Sequence, residues 1–271
     1  MHYLEAGTGS PVFLLHGNPT WSYFYRNLIP ALANDHRVIA PDHVGCGLSD
    51  KPPLSQYPYS LERRVADIGR LIDEIVPTGR VSLVVHDWGG MIGFAWATAN
   101  PDRVDRLVAM NTAAFPLPAG KKLPWSLRLG RNRLTGPLLN RGLNAFCRGA
   151  ARYCVVRKPM DAETRRMFLA PYDSWAHRIA VDQFVRTIPL SANDSGFDIV
   201  RRTEANLQTL ADRPMLLAWG LNDFVFDRDY LTQWRRHFPN AEVAAIDDAG
   251  HYLLEDAGDE LIPRISQFLA P

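Results

Sequence analysis

The stretch Val81-Ser-Leu-Val-Val-His86-Asp87-Trp88-Gly89-Gly90-Met-Ile-Gly93 joins two kinds of sequence. Its first half is apolar and mostly β-branched over the length of one strand, whereas its second half, continuing to Ala97, is small and suited to a helix. The charged residue between the two halves is Asp87. A strand that turns directly into a helix holds the residue at the turn clear of its neighbours, where it can act as a nucleophile. The stretch therefore predicts a strand–turn–helix unit with an aspartate at its tip.

Short apolar segments and helical segments alternate on both sides of this unit. Before it, strands are predicted at 2–6, 12–16 and 37–41, and after it at 106–110, 214–219 and 241–246. This alternation predicts an α/β fold with a mostly parallel sheet, flanking helices and right-handed crossovers. Sheets of this type normally begin with a pair of strands, so we expect that one edge strand is missing or is encoded upstream of the first residue.

Residues 113–200 break the alternation, because they contain helical stretches but no convincing strand. We therefore expect an inserted helical cap at 113–200 and an α/β core formed by 1–112 and 201–271. Further helices are predicted at Trp21–Ala33, at Leu138–Ala151 within the cap, and at Leu61–Ile75, for which Ser60 is the candidate N-cap.

The composition is that of an ordinary globular protein. The chain has 271 residues, of which 46% are hydrophobic and 22% charged, and its net charge is +1. A nearly neutral chain shows no overall bias toward nucleic acid or membranes. The cysteines are odd in number and lack metal-ligand spacing, which favours a reduced, cytoplasmic protein without a metal. We expect no cofactor. The cysteines are Cys46, Cys147 and Cys154.

Two further residues follow predicted strands at positions from which they can reach Asp87. Asp223 lies after the strand 214–219, and His251 lies after the strand 241–246. The carboxyl ends of parallel strands meet at one edge of a sheet, so the order Asp87, Asp223, His251 suits a nucleophile, an acid and a base. The alternative acid position holds Asn111, which is not an acid. Each aspartate could instead be structural, since an aspartate after a strand is often only a cap or turn residue.

An aspartate nucleophile can attack a saturated carbon in an SN2 step and form an alkyl ester with the enzyme. His251 is then predicted to activate a water molecule that attacks the ester carbonyl. The backbone N–H groups of Trp88 and Asn18 are predicted to hold the resulting oxyanion. The indole N–H of Trp88 and the side-chain amide of Asn18 are predicted to bind the leaving anion, since neither donor is charged. Other histidines nearby are expected to be structural, namely His16, His43 and His86.

Four segments carry a family resemblance: His16-Gly-Asn-Pro-Thr-Trp-Ser22, Pro41-Asp-His-Val-Gly-Cys-Gly-Leu-Ser-Asp-Lys-Pro52, His86-Asp-Trp-Gly-Gly90 and Gly250-His-Tyr252. Over nearly the whole chain, the sequence resembles the haloalkane dehalogenases of the α/β-hydrolase superfamily, and within them subfamily III. The resemblance implies an α/β-hydrolase fold and a hydrolase that displaces halide from a haloalkane and releases an alcohol. It implies a catalytic triad of Asp87, Asp223 and His251, with halide bound by Asn18 and Trp88.

Two other segments favour a related reaction. Asn111-Thr-Ala-Ala-Phe-Pro-Leu-Pro118 and Ala170-Pro-Tyr-Asp-Ser-Trp175 look more like the β-lactone decarboxylases of olefin biosynthesis, which convert cis-3-alkyl-4-alkyloxetan-2-ones to cis-alkenes and CO2. The same five residues can serve that reaction, with a carboxylate or lactone oxygen in place of halide. An epoxide hydrolase is a weaker alternative, with Tyr153 and Tyr172 as candidate proton donors. A non-catalytic binding protein of this fold would not need the aspartate–histidine–aspartate set.

The predicted cap is expected to roof a pocket for a small hydrophobic substrate, either a haloalkane or a dialkyl β-lactone. Its candidate lining residues are Phe115, Leu117, Trp125, Phe146, Phe168 and Phe184. From Lys121 to Lys158 the chain has ten Lys and Arg and no Asp or Glu. A solvated helical face is the simplest interpretation, and the sharper hypothesis is a docking surface for an acidic partner or a membrane. The sequence leaves the oligomeric state and the substrate chain length open.

Overall fold

A seven-stranded sheet runs through the centre of the protein, for which the computed structural model describes residues 1–270. Its spatial order is β1-β3-β2-β4-β5-β6-β7, with β1 antiparallel to β3 and every other neighbouring pair parallel. The predicted mostly parallel sheet is therefore confirmed. The strands are β1 Tyr3–Ala6, β2 Ser10–Leu15, β3 His36–Pro41, β4 Val81–Asp87, β5 Val104–Thr112, β6 Met215–Gly220 and β7 Glu242–Ile246.

Eleven α-helices are described within residues 1–270, together with four short 3-10 segments and a π-helical turn at Leu138–Gly142. Ser60 caps α2 as predicted, since its side chain accepts a hydrogen bond from the backbone N–H of Arg63 at 3.2 Å. None of the helices in this part of the chain is both long enough and apolar enough to cross a bilayer. The helices are α1 Leu28–Leu32, α2 Leu61–Ile75, α3 Trp88–Ala99, α4 Trp125–Arg131, α5 Thr135–Pro137, α6 Ala145–Tyr153, α7 Ala162–Leu169, α8 Ile179–Arg186, α9 Phe197–Asn206, α10 Arg228–His237 and α11 Leu253–Leu269.

Both faces of the sheet are covered, which explains why the central strands are continuously apolar. Along β2, Phe13 and Leu15 point into the core that the sheet shares with α2 and α3. Val12 and Leu14 alternate with them and point into a second core shared with α1 and α11. All four side chains are fully buried. The sheet is thus a rigid middle layer, and its carboxyl ends are fixed in space.

The chain order reverses between β2 and β4, which are neighbours in the sheet although β3 comes between them in the sequence. After β2 the chain adds β3 on one side of β2, and after α2 it adds β4 on the other side. The loops that leave β2 and β4 therefore diverge at their carboxyl ends and open a crevice, the usual ligand position in open α/β sheets. Residues 16–20 and the Asp87 turn form the two walls of this crevice.

Two predicted helices are wrong in extent. The segment Trp21–Ala33 forms a 3-10 turn at Ser22–Tyr25 and then only the short helix α1. Pro30 is the reason, because proline is tolerated in the first turn of a helix but not deep inside one. The segment Leu138–Ala151 is broken by Asn144, whose φ of 52° is left-handed and cannot continue a helix.

Residues 113–200 hold α4 to α8 and, within that range, no strand. Helix α9 begins inside the predicted cap, at Phe197, but packs against α3 of the α/β core through residues such as Val200. The boundary after residue 200 thus falls within a helix. The division into core and cap stays a prediction.

Candidate active site

Asp87 stands at a strained turn where β4 becomes α3. Its φ is 50° and its ψ is −124°, outside the regions that most residues adopt. The turn is possible only with small neighbours. A Cβ on Gly89 would overlap the carbonyl oxygen of Leu15, and a Cβ on Gly90 would overlap the side chain of Thr112. A shift in strand register between His86 and Asp87 accompanies the turn and holds the carboxylate at the carboxyl edge of the sheet.

The three residues of the predicted triad lie together at this edge. Oδ2 of Asp87 is 3.5 Å from Nε2 of His251. On the other side of the ring, Nδ1 of His251 is 2.7 Å from Oδ2 of Asp223. All three residues are buried, with relative exposures of 9% for Asp87, 5% for His251 and 2% for Asp223. The arrangement can hold a proton on His251, whose Nε2 faces the groups bound at Asp87.

Asn111 holds the acid in place, a role that the sequence did not indicate. Its Nδ2 donates to Oδ2 of Asp223 at 2.9 Å and to the carbonyl oxygen of Gly220 at 2.9 Å. Its Oδ1 accepts from the backbone N–H of Gly220 at 2.7 Å. The backbone N–H of Val225 donates to the other oxygen of Asp223 at 2.7 Å. Asn111 therefore joins the end of β5 to the end of β6 and fixes Asp223 toward His251.

The charges of the three residues determine their protonation. Burial by itself would lower the pKa of His251, but the adjacent carboxylates of Asp223 and Asp87 outweigh burial and raise that pKa to about 10. Burial raises the pKa of Asp87, and its interaction with His251 opposes the rise. His251 is therefore an imidazolium at neutral pH. Esterification of Asp87 would remove one of the two charges that hold this proton and so lower the pKa of His251.

The loop after β2 approaches Asp87 closely from the opposite wall. A Cβ on Gly17 would overlap the side chain of Asp87, so only glycine fits there. Nδ2 of Asn18 donates to the carbonyl oxygen of Val181 at 3.3 Å, and Oδ1 of Asn18 is buried without a partner among the described residues. The backbone N–H of Trp88 donates to Oδ1 of Asp87. The predicted anion-binding and oxyanion residues, Asn18 and Trp88, both line the same cavity as Asp87.

These residues form the floor of a cavity of about 370 Å³ that extends under α4 and α6. Asn18, Asp87, Trp88 and His251 supply the polar groups of its floor, and most of the remaining lining is apolar, with Ser126, Asn140, Tyr153 and Tyr230 as further polar residues. A mostly apolar lining of this kind strengthens electrostatic interactions with a bound anion. Four of the predicted lining residues do line it, namely Phe115, Leu117, Trp125 and Phe146, and so does Tyr153.

The predicted lining residues Phe168 and Phe184 lie outside the cavity, and so does Tyr172, the second candidate proton donor of the epoxide hydrolase alternative. Phe168 is buried against Tyr252, with ring centroids 5.4 Å apart. Phe184 packs behind Trp88, with ring centroids 5.0 Å apart. The hydroxyl of Tyr172 is buried and donates to the carbonyl oxygen of Thr20 at 3.1 Å. An aromatic residue in a helical segment is more often core than pocket, and sequence alone does not distinguish the two.

The remaining histidines near the site have structural contacts. His86 stacks on Phe24 and is 2.9 Å from the carbonyl oxygen of His251 through Nε2. Nε2 of His16 accepts from the backbone N–H of His43 at 3.0 Å. Burial lowers the pKa of all three histidines, and that of His16 falls to about 4. They are therefore neutral groups that brace the loops around Asp87.

Comparison with known proteins agrees with this architecture. The family profile for the alpha/beta hydrolase fold matches residues 10–258. A cis-3-alkyl-4-alkyloxetan-2-one decarboxylase from Shewanella oneidensis is 48% identical, with 99% of this chain and 85% of the relative covered. Haloalkane dehalogenase 2 from Mycobacterium bovis is 31% identical, with 98% of this chain and 90% of the relative covered. Among solved structures, haloalkane dehalogenase DatA from Agrobacterium tumefaciens C58 has a TM-score of 0.87 at 25% identity, with 99% and 91% covered.

The resemblance found in the sequence is therefore confirmed along the whole fold, and the similarity to the decarboxylase is greater than that to the dehalogenases. The chain is an enzyme of the α/β-hydrolase superfamily and belongs to the group in which β-lactone decarboxylases and haloalkane dehalogenases are found.

Proposed function

We propose that this enzyme is a β-lactone decarboxylase that converts a cis-3-alkyl-4-alkyloxetan-2-one to a cis-alkene and CO2. The observation that carries the proposal is the 48% identity to a decarboxylase of that name, against 31% to a dehalogenase. The sequence resemblance favours the dehalogenase first, whereas the greater identity to the decarboxylase supports the alternative reaction. The apolar cavity of about 370 Å³ above Asp87 suits a substrate with two alkyl chains.

The first step is an attack of the Asp87 carboxylate on C4 of the lactone ring. A new C4–O bond forms to Asp87 as the ring C4–O bond breaks, and the configuration at C4 inverts. The electrons of the broken bond remain on the lactone oxygen, which becomes part of a free carboxylate on C3. The indole of Trp88 and the amide of Asn18 are uncharged donors beside Asp87, and they are suited to stabilise that carboxylate as it develops.

The second step is an elimination that regenerates the enzyme. The bond between C3 and the carboxylate carbon breaks and releases CO2, its electron pair forms the C3–C4 double bond, and the C4–O bond to Asp87 breaks. Asp87 recovers its charge, and no water or external base is consumed. Inversion at C4 followed by anti elimination retains the relation of the two alkyl chains, so a cis lactone gives a cis-alkene.

The protonation of His251 supports elimination over hydrolysis. Ring opening transfers the negative charge of Asp87 to the new substrate carboxylate, so His251 still lies near two anions and keeps its proton. A protonated imidazole cannot take a proton from water, and the ester therefore persists until CO2 leaves. His251 also remains close enough to Asp87, at 3.5 Å, to stabilise the carboxylate that elimination releases.

Haloalkane hydrolysis is the second candidate, and the Trp88–Asn18 pair is the feature that favours it. Displaced halide can leave the site, after which the charge near His251 falls and the histidine becomes a base for water. Replacement of His251 should then trap an alkyl ester on Asp87, visible by mass spectrometry.

One assay tests the proposal. The protein is incubated separately with a cis-dialkyl β-lactone and with 1,2-dibromoethane, and alkene formation is compared with halide release. We expect alkene to dominate, and Asp87→Asn to lower its rate by on the order of 10⁴-fold or more. Asp173→Asn, at an exposed aspartate, is the matched control and should retain the rate. Halide release without alkene would refute the decarboxylase proposal in favour of a dehalogenase. Full activity of Asp87→Asn would refute the mechanism that both reactions share.

A further inference from the structure

The mouth of the cavity is bordered by apolar side chains that are open to solvent. Four residues contact the cavity and are nevertheless strongly exposed, and we call them the mouth rim: Trp125 at 74%, Leu129 at 44%, Tyr153 at 68% and Phe224 at 47%. Exposed large apolar residues are usually scattered singly, so a group around one opening is unusual. The rim therefore borders the side on which the cavity meets solvent.

More exposed apolar residues continue from the rim into the segment between α4 and α6. Leu134 is 87% exposed, and Leu138 and Leu143 are 59% and 57% exposed. The hydroxyl of Thr135 donates to the carbonyl oxygen of Leu129, which ties the Leu134 turn to the rim. Leu138 and Trp175 both approach Gly142, so Trp175, 49% exposed, belongs to the same face. The apolar surface therefore extends well beyond the opening.

Positive charge surrounds this apolar surface. Some of the cations between Lys121 and Lys158 are paired, such as Arg131 with Asp194 and Arg157 with Asp248. Within residues 1–270, six exposed cations of this tract have no carboxylate within ion-pair distance: Lys122, Arg128, Arg133, Arg148, Arg152 and Lys158. Since the tract itself contains no Asp or Glu, the charge of these six residues is not neutralised by an ion pair.

We propose that this face docks on a lipid bilayer that contains anionic phospholipid, with the mouth rim inserted at the level of the headgroups. The reason for docking rests on the proposed function, because a lactone with long alkyl chains would otherwise have to cross water to reach the cavity. Trp and Tyr are favoured at membrane interfaces, and exposed leucines add apolar area to them. Unpaired Lys and Arg supply attraction to anionic headgroups.

Vesicle sedimentation tests the docking directly, without substrate. The full-length protein is mixed with vesicles of phosphatidylcholine that contain about one-third phosphatidylglycerol, and with vesicles of phosphatidylcholine alone. We expect sedimentation with the anionic vesicles only, and its loss as salt is raised, because the attraction is screened. Equal sedimentation with both lipids, or none with either, would overturn the proposal.

Paired variants test which residues are responsible. Arg133→Glu with Arg148→Glu should weaken binding by ~10-fold or more, since each basic residue near an anionic surface contributes about fivefold. Arg202→Glu with Arg235→Glu, on α9 and α10, changes the net charge by the same amount away from the rim and should leave binding intact. Equal loss in the two double variants would show only an effect of overall charge and would refute the assignment.

A second pair of variants tests the apolar residues of the proposed docking face. Leu134→Asp should weaken vesicle binding, whereas Leu54→Asp, at a leucine 49% exposed in another loop, should not. Neither leucine lines the cavity, so turnover of a short, water-soluble dialkyl lactone should be unchanged in both. Failure of that turnover in the unmodified protein would refute the proposed function while leaving vesicle binding as a separate result. Retention on polyglutamate without vesicle binding, or an oligomer that Leu134→Asp dissociates, would assign the face to a protein contact instead.

Discussion

The carboxyl edge of the sheet and residues 113–200 differ in how their residues are held. At the edge, Asp87 and His251 are buried, and Asp223 receives hydrogen bonds from Asn111 and from the backbone of Val225. In residues 113–200 the helices are short, one turn is π-helical, and large apolar side chains such as Leu134 are exposed. The first region is fixed by buried charges and their hydrogen bonds, whereas the second combines apolar contacts with local hydrogen bonds, such as those from Asn140 to Gly130 and from Arg178 to Tyr172.

This difference separates chemistry from substrate choice. The polar edge can position an attacking carboxylate because Asp87, Asp223 and His251 are each held by a neighbouring group. The apolar walls make few directional contacts, so their side chains can change size without disturbing the charges below them. We therefore expect changes at the edge to alter protonation and rate, and changes in the walls to alter which chains fit.

The largest expected effect concerns pH and His251. Because its pKa is about 10 in the folded protein and about 6.5 in an unfolded chain, folding retains a proton that the unfolded chain loses as pH rises. The stabilisation from His251 should be fully present below pH ~6.5. Above that pH the free energy of unfolding should fall by ~1.4 kcal/mol per pH unit. Urea unfolding between pH 6.5 and 8.5 measures this slope, and His251→Gln should remove it.

The range from pH 6.5 to 8.5 avoids the pH ranges in which other buried groups change the free energy of unfolding. The pKa of His16 is lowered by burial, so its contribution rises with pH only up to about 6.5. The buried thiols of Cys46, Cys147 and Cys154 have pKa values raised by burial and add a fall only above about pH 8.5. His177→Gln, at an exposed histidine, controls for the loss of an imidazole. A slope that survives in His251→Gln would contradict the imidazolium between two carboxylates.

The next effect concerns Asn111. Its removal leaves Asp223 without one donor and the backbone of Gly220 without two partners, at a cost of ~1–3 kcal/mol for each unsatisfied buried group. We expect Asn111→Ala and Asn111→Gly both to lower turnover by roughly 10- to 100-fold. The glycine variant is needed because Asn111 has a φ of 31°, which disfavours alanine.

Asn100→Ala provides the control, since Asn100 also donates to a backbone carbonyl, that of Trp96, but lies at the far end of α3. It should lose some stability and keep its turnover. If Asn111→Gly were as active as the unmodified enzyme, the amide would have no part in positioning Asp223.

The smallest effect is expected from a change in the apolar wall of the cavity, at Phe146. Phe146 lines the cavity and is only half-buried, so Phe146→Ala should enlarge the pocket and cost less stability than removal of a core aromatic. The rate with bulkier β-lactones should rise relative to the rate with short ones, measured in competition. Phe168→Ala is the matched control, because Phe168 is buried outside the cavity and its loss should cost ~3–5 kcal/mol without a change in preference. A shift in preference with Phe168→Ala alone would contradict the position of the wall.

The parts of the molecule that the sequence predicted are those set by local rules. The strand–turn–helix around Asp87 follows from an apolar run next to small residues, and Ser60 follows from helix capping. The positions of Asp223 and His251 follow from the rule that parallel strands end at one edge. These features depend on short segments and on the topology that the segments imply.

The parts that the sequence did not predict depend on three-dimensional neighbours. The hydrogen bonds of Asn111 join two strands that are more than a hundred residues apart in the chain, so no spacing reveals them. Phe184 and Phe146 are both aromatic and in helical segments, yet one packs behind Trp88 and the other faces the cavity. Which aromatic residue faces the cavity is decided by packing.

Gly17 also limits how such an enzyme can evolve. Its missing side chain leaves the volume that the Asp87 carboxylate occupies, so the nucleophile and its neighbouring loop share a single space. Sequence changes can vary the apolar walls freely, but any amino acid other than glycine at position 17 displaces the nucleophile from its place. New substrates should therefore be reached by lineages that alter residues 113–200 and inherit this glycine unchanged.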